Sequence, residues 1–311
     1  MMEQTVDLSI NFAALKLSSP IFTASGTCGY ADELADFMDI NAIGGFITKS
    51  ITPLPRKGNP TPRIVETNSG MLNAIGLANV GLERFIEEKL PLIQRLKTAV
   101  FVNVAGQTID DYVAVAEKLS GVKGIAGFEL NISCPNVKQG GITFGTDPLV
   151  VEQITQKVKA VCGSKPLMVK LTPTVTDITA TARAAVNGGA DALSLINTFT
   201  AMVIDIETRK PVLYNRTGGL SGPAIKPVAV YLVSRVYQEV GCSNNIPILG
   251  MGGIRTASDA IEFLIAGAAA VAVGTATFAD PSCAVKIADG IREFCRSHGI
   301  RRVSELTGSL R

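Results

Sequence analysis

Eight short apolar runs recur along this chain, and between most of them lies a stretch with helical periodicity. The runs occupy 20–24, 45–48, 99–104, 127–132, 167–171, 192–196, 247–249 and 270–273. The helical patterns occupy 32–38, 82–96, 109–119, 148–161, 177–187, 227–240, 257–266 and 284–295. Continuous apolar runs are how parallel strands read when both of their faces are covered. Strand alternating with helix calls for a parallel sheet. Eight such units in 311 residues predict an α/β chain, a (β/α)8 TIM barrel with 1–311 as one domain. A doubly wound open sheet is the alternative, but no G-x-G-x-x-G follows the first run.

Two connections are long, 49–80 and 197–223, and both are rich in Pro, Gly and Asn. Each follows the C-terminal end of a strand, the face on which barrel enzymes build their sites. The alternation over 202–213 predicts a hairpin inside the second connection.

Composition removes several function classes. Hydrophobic residues make up 47% and charged residues 18%, which excludes disorder. Lys plus Arg total 29 against 27 Asp plus Glu, and a net charge of +2 argues against a nucleic-acid binder. The uncharged segment 263–279 is rich in Ala and Gly and punctuated by Gly267 and Gly274. It reads as a helix end, a glycine turn and a buried strand, not a membrane span. The opening MMEQTVDLSI lacks a secretory pattern. The six cysteines form no C-x-x-C pair, so zinc and iron–sulfur spacings are missing and reduced thiols in the cytoplasm are expected. The single histidine, His298, sits after the last helical pattern, which rules out a His-rich metal site and makes a Cys-His or Ser-His-Asp unit improbable.

Polar residues gather where the apolar runs end: Lys49, Asn103, Asn131, Ser133, Cys134, Lys170, Asn197 and Thr198. In a barrel these positions face one mouth. A buried lysine is costly unless it is paired or hydrogen-bonded. Two lysines in company with asparagines therefore point to an anion or a polar ring, although each lysine alone also reads as a solvated strand end. Asn73, Asn131 and Asn197 carry an acceptor and two donors each and suit the N–H and C=O edge of a planar heterocycle. Taken singly, each reads as well as a turn former. Gly250–Gly253 (GMGG) and Gly274–Thr275 follow the seventh and eighth runs, and each precedes a helical pattern. Those two loops are the frequent phosphate site of barrel enzymes. Gly222, in GGLSGP, is a third candidate donor. Cys134 stands in NISCPN at a strand end, where a modestly activated thiol can act as a base or a nucleophile. The other five cysteines read as packing residues.

SGTCGY (25–30), TKS (48–50), NAIGL (73–77), NISCPN (131–136), VKL (169–171), INT (196–198), GGLSGP (218–223), GMGGI (250–254) and VGTA (273–276) together resemble the dihydroorotate dehydrogenases. The resemblance runs in order over nearly the whole chain and is strongest to the soluble class 1 enzymes, which have cysteine as the active base. The segment 136–148 resembles the B subtype. The resemblance implies FMN in the barrel mouth, with its phosphate on Gly252, Gly253, Gly274 and Thr275. Other FMN contacts implied are Ser25, Gly26, Lys49, Ser50, Asn103, Asn131, Lys170, Ile196 and Gly222. For the substrate, dihydroorotate or orotate, it implies Lys49, Asn73, Ala74, Ile75, Gly76, Leu77, Asn131, Asn197 and Thr198. Cys134 is implied as catalytic base, Lys170 as the stabiliser of charge on the reduced ring, and 135–145 as a lid. No metal site is implied in this chain. A partner subunit carrying FAD and a 2Fe-2S cluster, in a 2+2 heterotetramer, is implied as the route to NAD. Rival readings are the fumarate-reducing A subtype, a tRNA-dihydrouridine synthase, a Schiff-base aldolase using Lys49 or Lys170, and a non-catalytic flavin carrier.

Overall fold

Eight parallel strands close into a barrel in chain order: β1 (Ile21–Thr23), β2 (Gly45–Ile47), β3 (Ala99–Val104), β4 (Gly127–Asn131), β5 (Leu167–Lys170), β6 (Ala192–Leu195), β7 (Ile248–Met251) and β8 (Ala270–Val273). The computed structural model describes residues 5–133 and 144–311. Nearly every strand residue is buried, as expected where the barrel interior covers one face and helices the other. Register is set pair by pair, for example Asn103 beside Glu129, Asn131 beside Lys170 and Ser194 beside Lys170. The eight apolar runs correspond to these eight strands.

Helices Ile109–Ser120, Pro148–Lys159, Ile178–Asn187, Ala257–Ala266 and Cys283–Ser297 lie where the periodicity placed them. Local chemistry starts them. Thr108 and Thr256 form capping boxes with Asp111 and Asp259, and Asp147 and Asp177 cap the helices that follow them. Helix Ala257–Ala266 ends at Gly267, whose φ of 120° a side chain rarely adopts, and β8 follows. The uncharged 263–279 segment is thus a helix end, a glycine turn, a strand and a short 3-10 turn. Among the described residues no helix is long and apolar enough to cross a membrane.

Three helical expectations change. The 32–38 segment is a run of turns. Its backbone bonds mix three-residue spans, Leu34 to Ala31 and Phe37 to Leu34, with four-residue spans, Ala35 to Ala31 and Met38 to Leu34, and make no continuous ladder. Asp32 pairs with Lys89, and the Glu33 carboxylate accepts from the Tyr30 N–H, so both acids serve partners outside a helix. Within 82–96 the wide π turn Phe85–Lys89 interrupts the helix just before Pro91, which has no N–H to continue the four-residue ladder. Lys226–Val236 likewise runs into a π turn, Tyr237–Gly241.

The two long connections are not loops throughout. They pair with each other in a four-stranded antiparallel sheet, in the order Phe199–Ala201, Gly218–Ser221, Gly70–Asn73, Ile64–Thr67. Gly219 stands opposite Asn73, and Leu72, Ala74 and Leu213 form a small core of their own. The expected hairpin over 202–213 is present as Ile204–Asp205 against Lys210–Pro211.

Candidate active site

A cavity of about 1410 Å³ opens among the C-terminal ends of the barrel strands and is flanked by the four-stranded sheet. Single-ligand pockets usually hold roughly 300–1,000 Å³, so this one has room for two occupants. Its rim after β1 carries Ser25 and Gly26; its floor carries Lys49, Ser50, Asn131 and Lys170. After β6 come Ile196, Asn197 and Thr198, and the sheet and its connection supply Asn73, Ile75, Gly76 and Leu77. Gly222, Gly252, Gly253, Gly274 and Thr275 close the far side.

The structure does not bring two of the expected residues to the cavity wall. Ala74 is 1% exposed and packs with Leu72 and Leu213, because alternation along the strand turns it away from its neighbour Asn73. Asn103 is fully buried beneath Ser50. Cys134 and 135–143 lie outside the described residues. Of the other cysteines, Cys28, Cys162, Cys283 and Cys295 are buried, but Cys242 is exposed rather than a packing residue. His298 is exposed and stacks on Phe294. Among the described residues no cluster of His, Cys, Asp and Glu could hold a metal ion.

The glycine side of the cavity is shaped for an anion. Gly222, Gly252 and Gly253 have φ of 95°, 130° and 80°, all in the range that favours glycine. A Cβ on Gly253 would stand 2.8 Å from the Gly222 carbonyl oxygen and 2.9 Å from Lys226 Cβ, so the close approach of the two loops leaves room for no side chain there. Gly274 precedes the turn Thr275–Phe278 and offers its N–H groups no side-chain cap. Uncapped N–H groups at a turn start are donors for a ligand. The Thr275 hydroxyl donates to Ser221 Oγ at 2.8 Å, tying this corner to the sheet.

The floor is polar. Lys170 is 5% exposed, and its Nζ lies 3.5 Å from Oε2 of Glu129, which is 0% exposed. Glu129 Oε2 also accepts from Asn103 Nδ2 at 2.5 Å, and Oε1 accepts from the Ser194 hydroxyl at 2.8 Å. The carboxylate therefore reaches side chains of β3, β5 and β6 from β4. Glu129 was not among the expected site residues, although a lone acid inside the apolar run 127–132 was the available signal. Lys49 is half-buried. Burial holds its ammonium below the ordinary lysine range, with Glu33 opposing that and Arg63 reinforcing it. Among the described residues Lys49 has no ion-pair partner, so its charge is available to a ligand.

A floor of two lysines and amides with a glycine-lined anion corner suits a phosphate-bearing cofactor beside a small anionic or heterocyclic substrate. Comparisons with known proteins agree. Residues 7–295 match the family model described as dihydroorotate dehydrogenase. The chain is 54% identical to the "Dihydroorotate dehydrogenase B (NAD(+)), catalytic subunit" of Geotalea uraniireducens, over 98% of both chains. It is 53% identical to the protein of that name from Geobacter sp. strain M21, over 99% of both. In structure it is similar to the Eimeria tenella dihydroorotate dehydrogenase solved with ferulenol, with a TM-score of 0.81, 25% identity, and 99% and 90% of the two chains covered.

Proposed function

This chain belongs to the dihydroorotate dehydrogenase family, and on that premise we propose that it is the catalytic subunit of an NAD-linked dihydroorotate dehydrogenase. It oxidises (S)-dihydroorotate to orotate, a step in making UMP. The observation that carries this reading is the cavity itself, which joins a glycine anion corner to a floor of Lys49, Asn131 and Lys170. The family is FMN-dependent, and the residues present fit that group. Gly252, Gly253, Gly274 and Thr275 would hold the phosphate. Ser25, Gly26, Lys49, Ser50, Asn131, Lys170, Ile196 and Gly222 would hold the rest, with Asn103 supporting Ser50 from below. When bound, FMN supplies the acceptor for a hydride.

The chain's own residues bind, orient and move a proton. Asn73, Ile75, Gly76, Leu77, Asn131, Asn197 and Thr198 would hold the planar substrate, and Lys49 would meet its charge. Cys134 would take the proton from C5. Lys170 would stabilise the negative charge that develops beside it. The chain serves as one FMN-binding barrel domain over 1–311, in the cytoplasm. The relatives' name, a catalytic subunit with NAD(+), supports a separate electron-transfer partner. We assign FAD and a 2Fe-2S cluster to that partner, in a 2+2 heterotetramer.

The test is a visible spectrum of the purified chain before and after anaerobic dihydroorotate. A flavin band that bleaches supports the reading. A colourless chain that cannot be loaded with FMN overturns it and favours lysine chemistry, which borohydride trapping would then reveal. NAD reduction that needs a co-purified partner supports the B subtype. Fumarate reduction by the chain alone supports the A subtype instead.

A further inference from the structure

The floor of the cavity is wired in one direction. Glu129 is a carboxylate, and a carboxylate without its proton only accepts hydrogen bonds. Asn103 must therefore turn Nδ2 towards it, at 2.5 Å, which leaves Asn103 Oδ1 facing Ser50. The Ser50 hydroxyl must donate to that oxygen, again at 2.5 Å, so Ser50 Oγ is left as an acceptor. It accepts from Asn131 Nδ2 at 3.3 Å. Asn131 Oδ1 is then the only side left for Ser133, whose hydroxyl donates to it at 3.3 Å. Ser133 Oγ accepts from Asn197 Nδ2 at 2.6 Å, and Asn197 Oδ1 accepts from the Thr198 N–H at 2.8 Å.

Every link donates towards the carboxylate. Serine hydroxyls and asparagine amides can each be reversed, because each carries both donor and acceptor. Glu129 and the Thr198 backbone N–H, at the two ends, cannot. From Glu129 the sense is forced through Asn103, Ser50 and Asn131 to Ser133, whereas the Thr198 N–H fixes Asn197 alone, because Ser133 Oγ has a second lone pair and need not pass that sense on. We propose that Glu129 is a positioning residue for substrate recognition: it sets, through Asn103 and Ser50, which edge the Asn131 amide presents to the ligand. Asn131 borders the cavity, and its amide has one N–H and one lone pair beyond these bonds, on sides that the chain dictates. A ring with a fixed order of N–H and C=O groups is told from its isomers by that order.

This inference rests on the functional reading above, and the experiment separates the two. Glu129→Gln replaces the acceptor-only end with a group of the same size that also donates. Asn103→Asp, added to it, moves the carboxylate one position along. The new amide at position 129 then donates to one oxygen of the new carboxylate at position 103, and the other oxygen accepts from Ser50. The donor sense is thereby restored without the original carboxylate. Orotate affinity is measured by calorimetry on FMN-loaded wild type, Glu129→Gln and the Glu129→Gln/Asn103→Asp double variant, with FMN content and melting temperature recorded for each.

The expected result is a loss of at least tenfold in orotate affinity for Glu129→Gln, with FMN still bound, and recovery to within threefold of wild type in the double variant. A single variant within twofold of wild type overturns the proposal. A single variant that loses affinity and a double variant that fails to recover it also overturn the proposal, because the loss then comes from packing. If Glu129→Gln does not fold, the double variant carries the test alone: affinity near wild type supports the donor sense, and tenfold weaker binding refutes it. Wild type that holds FMN but no orotate overturns the functional reading and this inference with it.

Discussion

Lys170→Met should destabilise the FMN-stripped protein, because it leaves the Glu129 carboxylate in the barrel without its cation. The Nζ–Oε2 separation is 3.5 Å, for which Coulomb attraction at an effective dielectric constant near 20 is about 5 kcal/mol. Removing one partner of a buried pair typically costs about 3–5 kcal/mol. Glu129 keeps its bonds from Asn103 and Ser194, so the lower end applies, about 3 kcal/mol. At roughly 2.1 cal/mol/K per residue, unfolding 311 residues carries an entropy of about 0.65 kcal/mol/K. The melting temperature should therefore fall by about 5 °C. Calorimetry on wild type, Lys170→Met, Glu129→Gln and the double variant closes a cycle. The double variant should lose at least about 1.5 kcal/mol less than the sum of the singles. Additive losses, or a Lys170→Met protein within about 1 kcal/mol of wild type, would refute the reasoning, because a buried carboxylate left without its cation cannot be that cheap.

Cys134→Ser should retain FMN and lose turnover at neutral pH by about 10²-fold or more, the usual worth of a positioned base; normal turnover would remove Cys134 from that role. Lys49→Met should raise the melting temperature of the FMN-stripped protein near pH 7. Burial lowers the Lys49 pKa from the ordinary value of 10.5, so below its folded pKa the charge costs the folded state. That cost is relieved as pH rises through the folded pKa towards 10.5. The advantage of Lys49→Met should shrink over that window, and a difference that grows with pH would contradict the sign. In thiol titration of the native protein, Cys242→Ser should remove one fast-reacting group. Cys162 and Cys283, pushed up by burial to about 12 and about 11, should react only after unfolding.

The barrel was legible because a strand covered on both faces has little choice but to be apolar along its length. All eight runs follow that constraint, and the caps at Thr108, Asp147, Asp177 and Thr256 are written locally. What the sequence hid depends on partners far along the chain. Asp32 and Glu33 leave their predicted helix for Lys89 and the Tyr30 N–H. The sheet over the site pairs strands from both long connections, and the alternation over 202–213 announces only the hairpin, not these pairings between distant segments. Within the site, NAIGL reads as one contiguous unit, yet the strand turns Ala74 to the opposite side from Asn73. Glu129 was visible as a charge in an apolar run, but its meaning appears only once β3, β5 and β6 surround it.

The four-stranded sheet also has a temporal consequence. Asn73 and Gly219 lie 146 positions apart, and β3, β4, β5 and β6 fall between them. Closing a loop that long is entropically costly until the intervening chain has condensed. The side of the cavity built by this sheet therefore cannot exist on a nascent chain shorter than about Ser221, nor on one whose barrel is still half built. A ligand that binds only the finished state adds nothing to the early steps of folding and stabilises the last. Orotate should thus act as a timekeeper: its binding, followed during refolding, marks the moment when the two halves of the chain have met.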